Sequence, residues 1–273
     1  MNLDETLSLL ARDSSAPVDL AAVALHLARD EYPDLDVEAY LSELAAMAHE
    51  ARSYLRGDLR ARVAGLCRYL FHEMGFRGNT QSYYDPRNSY LNQVLDRRTG
   101  IPITLSVVAM TVGTRAGLAV DGVGLPGHFI ARAAAAGQEI FFDPFHGGRF
   151  LTPEQCAILV QQVTGLPFEA TAAQLRPAPV ARIVLRMLSN LKSIYLRQGD
   201  FPRAIRVIER ARQLAPDDPE QRRDLGISLV RVGQPGRALD HLEAYLAAMP
   251  AAADASAVRE FLDQARSEVA RWN

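Results

Sequence analysis

The chain has 273 residues, and its 48% hydrophobic content is enough to bury one large core or two or three smaller ones. Its 30 basic and 32 acidic residues give a formal charge of -2, which excludes a global field that would attract nucleic acid or an anionic membrane. No apolar run approaches the length of about 18 residues that a membrane span needs, and the acidic N-terminus is unlike a secretory signal. We therefore expect a cytoplasmic protein.

Four stretches at the start of the chain place apolar residues at three- and four-residue spacing, which predicts amphipathic helices. They cover residues 3–12, 18–30, 36–55 and 58–74. Serine, proline, aspartate and glycine residues between them act as stop and start signals. Residues 1–78 are therefore predicted to form an N-terminal helical segment.

The pattern changes after residue 75, where glycine, asparagine, aspartate and proline interrupt the helical periodicity and predict loop with a short helix near 89–95. Residues 102–117 are mostly apolar, begin with proline and end with glycine, which predicts a buried helix. Two apolar runs around the turn Ala134–Gly137 then predict two or three antiparallel strands. We assign residues 79–175 to this helix-plus-strands core.

From residue 180 onward the chain is helical and repeats with a period of 34 residues. The positions Leu191, Tyr195, Gly199, Ala204, Ile208, Ala211 and Pro216 recur as Leu225, Leu229, Gly233, Ala238, Leu242, Tyr245 and Pro250. Each unit is predicted to be a helix, a turn at the glycine and a second helix, with the alanine allowing close approach. A further helix over 254–272, including Trp272, is expected to cover the last apolar face. Residues 180–273 are thus predicted to form tetratricopeptide-type hairpins with a capping helix.

The core carries a histidine and an aspartate in an order that is typical of papain- and transglutaminase-type enzymes. Such enzymes use a cysteine at a helix N-terminus, a histidine on a following strand as the base, and an aspartate or asparagine on the next strand to orient it. Here the helix begins at Pro102, His128 opens the first apolar run, and Asp143 closes the second. The helix start, however, carries no cysteine.

The segments YYDPRNSYLNQVLDRRTGIPITLSVVAM, GVGLPGHFIARA and FFDPFHGG strongly resemble the SirB family, bacterial proteins that join a transglutaminase-like core to C-terminal tetratricopeptide repeats. The resemblance covers essentially the whole chain and implies an α+β, mainly helical fold with a transglutaminase-like (papain-like) core. It implies no reaction, because the family has no established one. The family reads GIPITLS where active relatives have a cysteine, so the missing thiol would fall near Pro102–Thr104. His128 and Asp143 match the histidine and aspartate of the wider superfamily.

Each candidate catalytic residue also has an ordinary structural interpretation. A buried histidine such as His128 can simply hydrogen-bond a neighbour, and the Asp143-Pro pair is a common way to open a turn. Thr104 and Ser106 are candidate nucleophiles in place of the cysteine, since a hydroxyl can react when a base lies within hydrogen-bond reach. Small polar residues in the first turns of a helix also commonly hydrogen-bond the backbone.

The two cysteines and a candidate set of metal ligands also have ordinary structural interpretations. Cys67 and Cys156 lie in apolar helical stretches, which favours inert thiols in a reducing compartment over a relocated nucleophile. His128, Asp143 and His146 offer imidazole and carboxylate ligands but no helical ligand motif. We therefore expect no metal and no cofactor.

The polar stretch 82–99 directly precedes the core helix and is predicted to line a cleft beside it. The candidate lining residues are Asn88, Asn92, Arg98 and Pro102. The alternative is that Asp85-Pro86 and Asn88-Ser89 are turn and cap residues and that Arg97 and Arg98 are solvated or paired with nearby acids.

Three functional hypotheses follow. The favoured one is a non-catalytic adaptor that binds a protein or peptide through the core cleft and the repeats, with no nucleic-acid or membrane partner. The alternative is a hydrolase or acyl transferase in which Thr104 or Ser106, His128 and Asp143 serve as nucleophile, base and orienting group. In the third, the cleft is filled by its own side chains and is purely architectural.

Overall fold

The computed structural model describes residues 2–271, so Trp272 of the predicted last helix lies outside the described residues. Contacts group residues 14–187 into one unit, the core unit, and residues 1–13 with 188–273 into another, the repeat unit. The predicted divisions at residues 78 and 175 do not coincide with this grouping. Among the described residues, no helix is both long and apolar enough to cross a bilayer.

The core unit begins with three helices: α2 (Leu20–Ala28), α3 (Val37–Ala51) and α4 (Leu59–Cys67). Each is capped by the aspartate before it, Asp19, Asp36 or Asp58, whose carboxylate accepts a backbone N–H of the first turn. The predicted helix 58–74 therefore starts as expected, but after α4 it widens into a π-helical turn, Arg68–Glu73. Both α2 and α3 pack against the central core helix, which is why they belong to this unit.

The loop region after these helices contains a short parallel strand pair that the sequence did not predict. Strand β1 (Arg77–Gly78) pairs with β2 (Thr99–Gly100), with Arg77 opposite Thr99. Helix α5 (Leu91–Arg97) lies between them and ends at Arg98, which has the left-handed φ of 52°. Two-residue strands carry no period-2 signal, so only the fold reveals them.

The central helix α6 (Pro102–Arg115) begins at the predicted proline, whose missing N–H is not needed in the first turn. Its first eight residues are all buried, as the apolar run predicts. The helix packs against strands β3 (Val120–Leu125) and β4 (His128–Ala135), and also against the turn Pro144–His146. It therefore forms one wall of the region that contains the start of β4 and the turn Pro144–His146.

The sheet has four antiparallel strands in the order β3-β4-β5-β6, where β5 is Gln138–Asp143 and β6 is Arg149–Leu151. The prediction of two or three strands missed β6, which has only three residues. The predicted turn between β4 and β5 is a tight one at Ala136 and Gly137, both with positive φ. Helix α7 (Pro153–Thr164) packs on β4 and β6 and buries Leu159 and Val160 in a cluster with residues of the sheet.

The repeat unit consists of helical hairpins in the predicted register. Its helices are the C-terminal part of α8 (Val180–Gln198), α9 (Phe201–Leu214), α10 (Pro219–Arg231), α11 (Pro235–Ala248) and α12 (Ala255–Ala270). Ala204 and Ala238, which are equivalent in the repeat, are both fully buried. Gly199 and Gly233 end α8 and α10 with φ values of 71° and 73°. A left-handed conformation, which glycine adopts without steric cost, therefore recurs once per repeat, at the turn within each hairpin.

Helix α1 (Leu3–Arg12) belongs to the repeat unit, although the sequence grouped it with the following helices. It packs on α9, where Arg210 and Gln213 donate hydrogen bonds to the Asp4 carboxylate. The chain thus joins its first helix to residues about 200 positions later, a pairing that local patterns cannot indicate.

Candidate functional site

The core brings His128 and Asp143 together at one end of the sheet. His128 is the first residue of β4 and Asp143 the last of β5, and in an antiparallel pair these two ends lie side by side. The His128 Nε2 and Asp143 Oδ2 atoms are 3.0 Å apart. Both side chains are buried, at 5% and 0% exposure, so their hydrogen bond is shielded from water.

A third group, His146, completes a cluster that sequence reasoning considered only as a metal site. Its Nδ1 atom lies 2.7 Å from the same Asp143 oxygen, while the backbone N–H of Phe145 donates to the other oxygen at 3.0 Å. The His128 and His146 rings stack with centroids 5.8 Å apart. His146 is nearly half exposed, so the cluster opens to solvent on its side.

The pKa of Asp143 is set by two opposing effects. Burial disfavours the charged form, but the hydrogen bonds and positive potential of His128 and His146 outweigh it and lower the pKa below its ordinary value. The carboxylate is therefore ionised at neutral pH and can only accept hydrogen bonds. His128 then donates from Nε2, and its other ring nitrogen, Nδ1, has no hydrogen-bond partner within residues 2–271. That nitrogen is the group available to a ligand.

The same three side chains offer one potential metal ligand each. His128, Asp143 and His146 place these ligand atoms within 4.8 Å of one another, with one residue exposed. A divalent ion could be held by two imidazoles and a carboxylate. The Asp143 carboxylate is also satisfied without an ion, because both imidazoles can donate to it.

The two candidate hydroxyl nucleophiles are occupied by the backbone. Thr104 Oγ1 accepts from the Ile101 N–H at 3.1 Å and donates to the Asn88 carbonyl at 2.8 Å. Ser106 Oγ donates to the Pro102 carbonyl at 2.8 Å. Both residues are fully buried, and among residues 2–271 neither hydroxyl is hydrogen-bonded to His128. These are the helix-start bonds that small polar residues commonly make.

Neither cysteine lies at the start of α6. Cys67 ends α4 and packs against Gly148, and Cys156 lies within α7. Burial raises the pKa of Cys67 to about 12. Burial, together with the charges of Asp143 and Glu154, raises the pKa of Cys156 to about 11. Both thiols therefore stay protonated at neutral pH.

The four predicted cleft residues are distributed differently. Pro102, Asn88 and Asn92 are buried, and Asn88 uses its amide to hold the carbonyls of Ser82 and Tyr83. Arg98 lies against α3: it donates to Glu43 at 2.9 Å and stacks over the ring of Phe76. The interpretation of Asn88 as a turn residue therefore describes its contacts.

A polar cavity of about 530 Å³ lies beside this region, in the core unit. It is lined by polar residues that include Arg77, Asn79, Asp85, Arg87, Arg97 and Thr99. The sequence prediction pointed to Arg98, which is adjacent to the cavity-lining Arg97. A helix C-terminus with a left-handed residue sends adjacent side chains in different directions, which spacing alone does not reveal.

Arg186 is a positioning residue that sequence reasoning missed. From α8 it donates to the carbonyls of Leu125 at 2.8 Å and His128 at 2.6 Å, the two ends of the β3–β4 turn. It also stacks over the ring of Phe129. The only sequence signal is an arginine within an apolar stretch of the helix. Its contacts tie the position of the His128 backbone to α8.

Comparison with known proteins places these features in a family. The model of the transglutaminase-like superfamily matches residues 38–189, and a tetratricopeptide-repeat model matches residues 191–263. The transglutaminase-like match contains His128, Asp143 and the whole of α6. No solved structure matches the chain.

Relatives of the whole chain carry the name UPF0162 protein. One from Xylella fastidiosa strain Temecula1 is 38% identical over 93% of this chain and 92% of its own length. One from Vibrio cholerae is 31% identical over 81% of this chain and 82% of its own. Human F-box only protein 21 is 34% identical over 57% of this chain but only 25% of its own length. The chain therefore belongs to the UPF0162 family and combines a core of the transglutaminase-like superfamily with tetratricopeptide repeats.

Proposed function

We propose that this protein is a non-catalytic adaptor that binds a peptide segment of a partner protein at the His128–Asp143 site. The observation that carries the proposal is the state of the four candidate nucleophiles, two hydroxyls and two thiols. Thr104 and Ser106 donate to backbone carbonyls, and Cys67 and Cys156 are buried with raised pKa values. A histidine and carboxylate without a nucleophile retain the means to recognise a ligand.

The surroundings of His128 suit the recognition of a polypeptide. Its Nδ1 has no partner among the described residues and can form a hydrogen bond with a ligand, and the exposed imidazole of His146 adds a second polar contact. Tyr83 and Tyr84 stack edge to face and are exposed by 36% and 54%. Tyrosines provide contact area and a hydroxyl at little entropic cost, which is why they are frequent in protein interfaces.

The repeats provide the second part of the proposed adaptor. Arrays of helical hairpins present an extended concave surface, and such surfaces commonly bind peptides or proteins. We propose that the repeat unit docks a partner independently of the core site. Membership of the SirB family, a bacterial origin and a place in the cytoplasm are parts of the same proposal, since they rest on the resemblance and on composition.

Site-specific photo-crosslinking in the full-length protein tests peptide binding at the core. A photoreactive amino acid replaces Tyr84, which packs on Tyr83, or, as a control, Ile158, which is 53% exposed on α7. We expect a partner to be captured in cells from position 84 and not from position 158. Mass spectrometry identifies it, and binding of the purified partner is then measured with wild type and with His128→Asn. Capture from both positions alike, or an unchanged affinity in the variant, would contradict the proposal.

The second candidate function is a hydrolase or acyl transferase. It is favoured by the buried pair of His128 and Asp143 at 3.0 Å, an arrangement that orients a general base. In that case Thr104 or Ser106 would have to leave its backbone partner to reach the imidazole. Electrophilic probes directed at hydroxyls distinguish the two candidates. Labelling of either residue that disappears in His128→Ala would replace the adaptor proposal with an enzyme.

A further inference from the structure

The polar cavity described above carries an excess of positive charge that the chain as a whole does not. Three arginines, Arg77, Arg87 and Arg97, face one acid, Asp85, in a protein whose formal charge is -2. We call this space the arginine cavity, defined by these four residues. Its volume of about 530 Å³ lies within the range of sites that hold small ligands or side chains.

The single acid is already paired with one of the arginines. Arg87 donates from Nε and Nη2 to the Asp85 carboxylate, at 3.0 and 2.7 Å. This bidentate bond is the main reason that the pKa of Asp85 is lowered. Arg87 therefore balances most of the charge of Asp85. The charges of Arg77 and Arg97 leave the cavity with a net positive charge.

Arg97 and Arg77 have weak partners or none. Arg97 lies 3.8 Å from Asp85 and 3.4 Å from the Asn88 amide oxygen, both long contacts. Arg77 is an exposed residue and has no ion pair within residues 2–271. Both come from the same place in the fold, because Arg77 pairs with Thr99 and Arg97 precedes that strand by two residues. Arg77, which has no ion pair among the described residues, and Arg97, whose acid is already bound by Arg87, thus line one cavity.

The rest of the lining favours a charged, polar ligand. Asn79, Thr80, Gln81, Ser82 and Thr99 add amides and hydroxyls, and the described lining contains no apolar side chain. Guanidinium groups bind carboxylates in a planar, bidentate manner. A nucleic-acid strand would need a longer track of positive charge than this cavity offers, on a protein that is net negative.

The arginine cavity and the His128 site share a wall. Gly78 lies so close to the Phe145 backbone that a Cβ atom there would be 2.5 Å from the Phe145 oxygen. The ring of Phe145 lies 6.1 Å from that of His128 and 6.0 Å from that of Tyr83. Tyr83 and Phe145 therefore lie between the arginine cavity and His128.

We propose that the arginine cavity binds a carboxylate of the partner peptide, an acidic side chain or the C-terminus, and directs the adjoining residues toward His128. This inference rests on the proposed peptide binding and names the class of peptide. Arg77 and Arg97 supply the charge, and Asp85 holds Arg87 and moderates the affinity.

Fluorescence polarisation with labelled eight-residue peptides and the full-length protein tests this inference. Four probes are compared: alternating glutamate and alanine with an amidated C-terminus, alternating glutamine and alanine with a free carboxylate, the same peptide amidated, and alternating lysine and alanine amidated. We expect one of the first two to bind at least about tenfold more tightly than the third, and the lysine peptide not to bind. The first or the second probe binding more tightly identifies the source of the carboxylate. Raising the salt concentration should weaken binding.

Variants of the cavity give effects in opposite directions. Arg77→Gln combined with Arg97→Gln should lower the affinity of the preferred probe at least about tenfold, whereas Asp85→Asn should raise it several-fold. A misfolded variant cannot produce a gain, so Asp85→Asn guards against that explanation. Arg56→Gln removes an exposed arginine outside the cavity and should change nothing.

Equal affinity for the glutamate and both glutamine probes, unchanged by the arginine variants, would overturn the carboxylate assignment while leaving peptide binding in place. A phosphoserine peptide that binds more than tenfold more tightly than either carboxylate probe would also overturn it. If no probe binds, the inference fails. The proposed function is then decided separately by the crosslinks from position 84.

Discussion

Gly148 packs directly on Cys67: a Cβ atom at Gly148 would lie 2.6 Å from the Cys67 sulfur. Gly148 also donates its N–H to the Asp143 carbonyl at 2.8 Å, and its φ is 79°. The contact therefore fixes the loop after Asp143, which carries His146, against the end of α4. Glycine is required there both for its conformation and for its size.

Gly148→Ala should destabilise the protein by about 2–4 kcal/mol, since backbone strain and overpacking add. Gly137→Ala is the matched control, because Gly137 has a φ of 78° but no atom within 4 Å of an added Cβ. That variant should lose only about 1 kcal/mol. Urea unfolding measures both, and equal losses would show that the Cys67 contact contributes nothing.

Both thiols should be unreactive in the folded protein. Burial raises the pKa of Cys67 to about 12 and, with nearby acids, that of Cys156 to about 11, so almost no thiolate forms at pH 8. We expect a chromogenic disulfide reagent to label neither cysteine within minutes in buffer and both rapidly in urea. Native labelling at the rate of a free thiol would contradict this burial.

Asp143→Asn should lower the free energy of unfolding at pH 7 by about 1–3 kcal/mol, because the amide cannot accept as strongly from both imidazoles. Asp121 on β3 is a half-exposed ion-pair partner of Arg132. Asp121→Asn should therefore lower the free energy of unfolding by at most about 1 kcal/mol. Chemical denaturation compares the two. A smaller loss at the buried position would show that the histidine contacts do not stabilise the fold.

The stabilisation from Asp143 should depend on pH in a defined direction. Its pKa in the folded protein lies below the ordinary value of 3.8, so its contribution is complete above that value. The contribution disappears as the pH falls through the lower, folded-state pKa. The difference in unfolding free energy between wild type and Asp143→Asn should therefore shrink as the pH falls below about pH 4. A difference that grows below about pH 4 would contradict the assignment.

Arg186→Met should destabilise the core by about 2–3 kcal/mol, since a charged donor to two carbonyls is lost while the apolar part of the side chain is kept. Arg182→Met, an exposed position on the same helix, serves as the control and should have little effect. Thermal unfolding measures stability, and the NMR signals of the His128 ring report its environment. If Arg186 positions that residue, its signals shift in the first variant alone.

Ala238→Leu should destabilise the protein by about 1–3 kcal/mol, because Ala238 is fully buried between the helices of the second repeat. Ala247→Leu adds the same side chain at an exposed position of the same helix and should change stability by no more than about 0.5 kcal/mol. Urea unfolding of the two variants makes the comparison. Similar stabilities would mean that the hairpins are not closely packed at the alanine.

The features that are encoded locally could be predicted from the sequence. The start of α6 at Pro102, the buried character of that helix and the repeat register around Ala204 and Ala238 all follow from periodicity, proline and glycine. These signals act over one or two turns of chain, so they do not depend on what packs against them. The proximity of His128 and Asp143 could also be predicted. In two antiparallel strands joined by a short turn, the first residue of one strand lies near the last residue of the other.

Contacts between distant residues were decided only by the tertiary structure. Nothing local indicates that α1 packs on α9, that Arg186 holds the turn before His128, or that Thr104 donates to Asn88. Arg97 and Arg98 are adjacent and chemically identical, yet one lines the arginine cavity and the other pairs with Glu43. A side chain's partner depends on the direction of its Cα–Cβ bond and on which elements pack nearby, and both are set when the whole chain has folded.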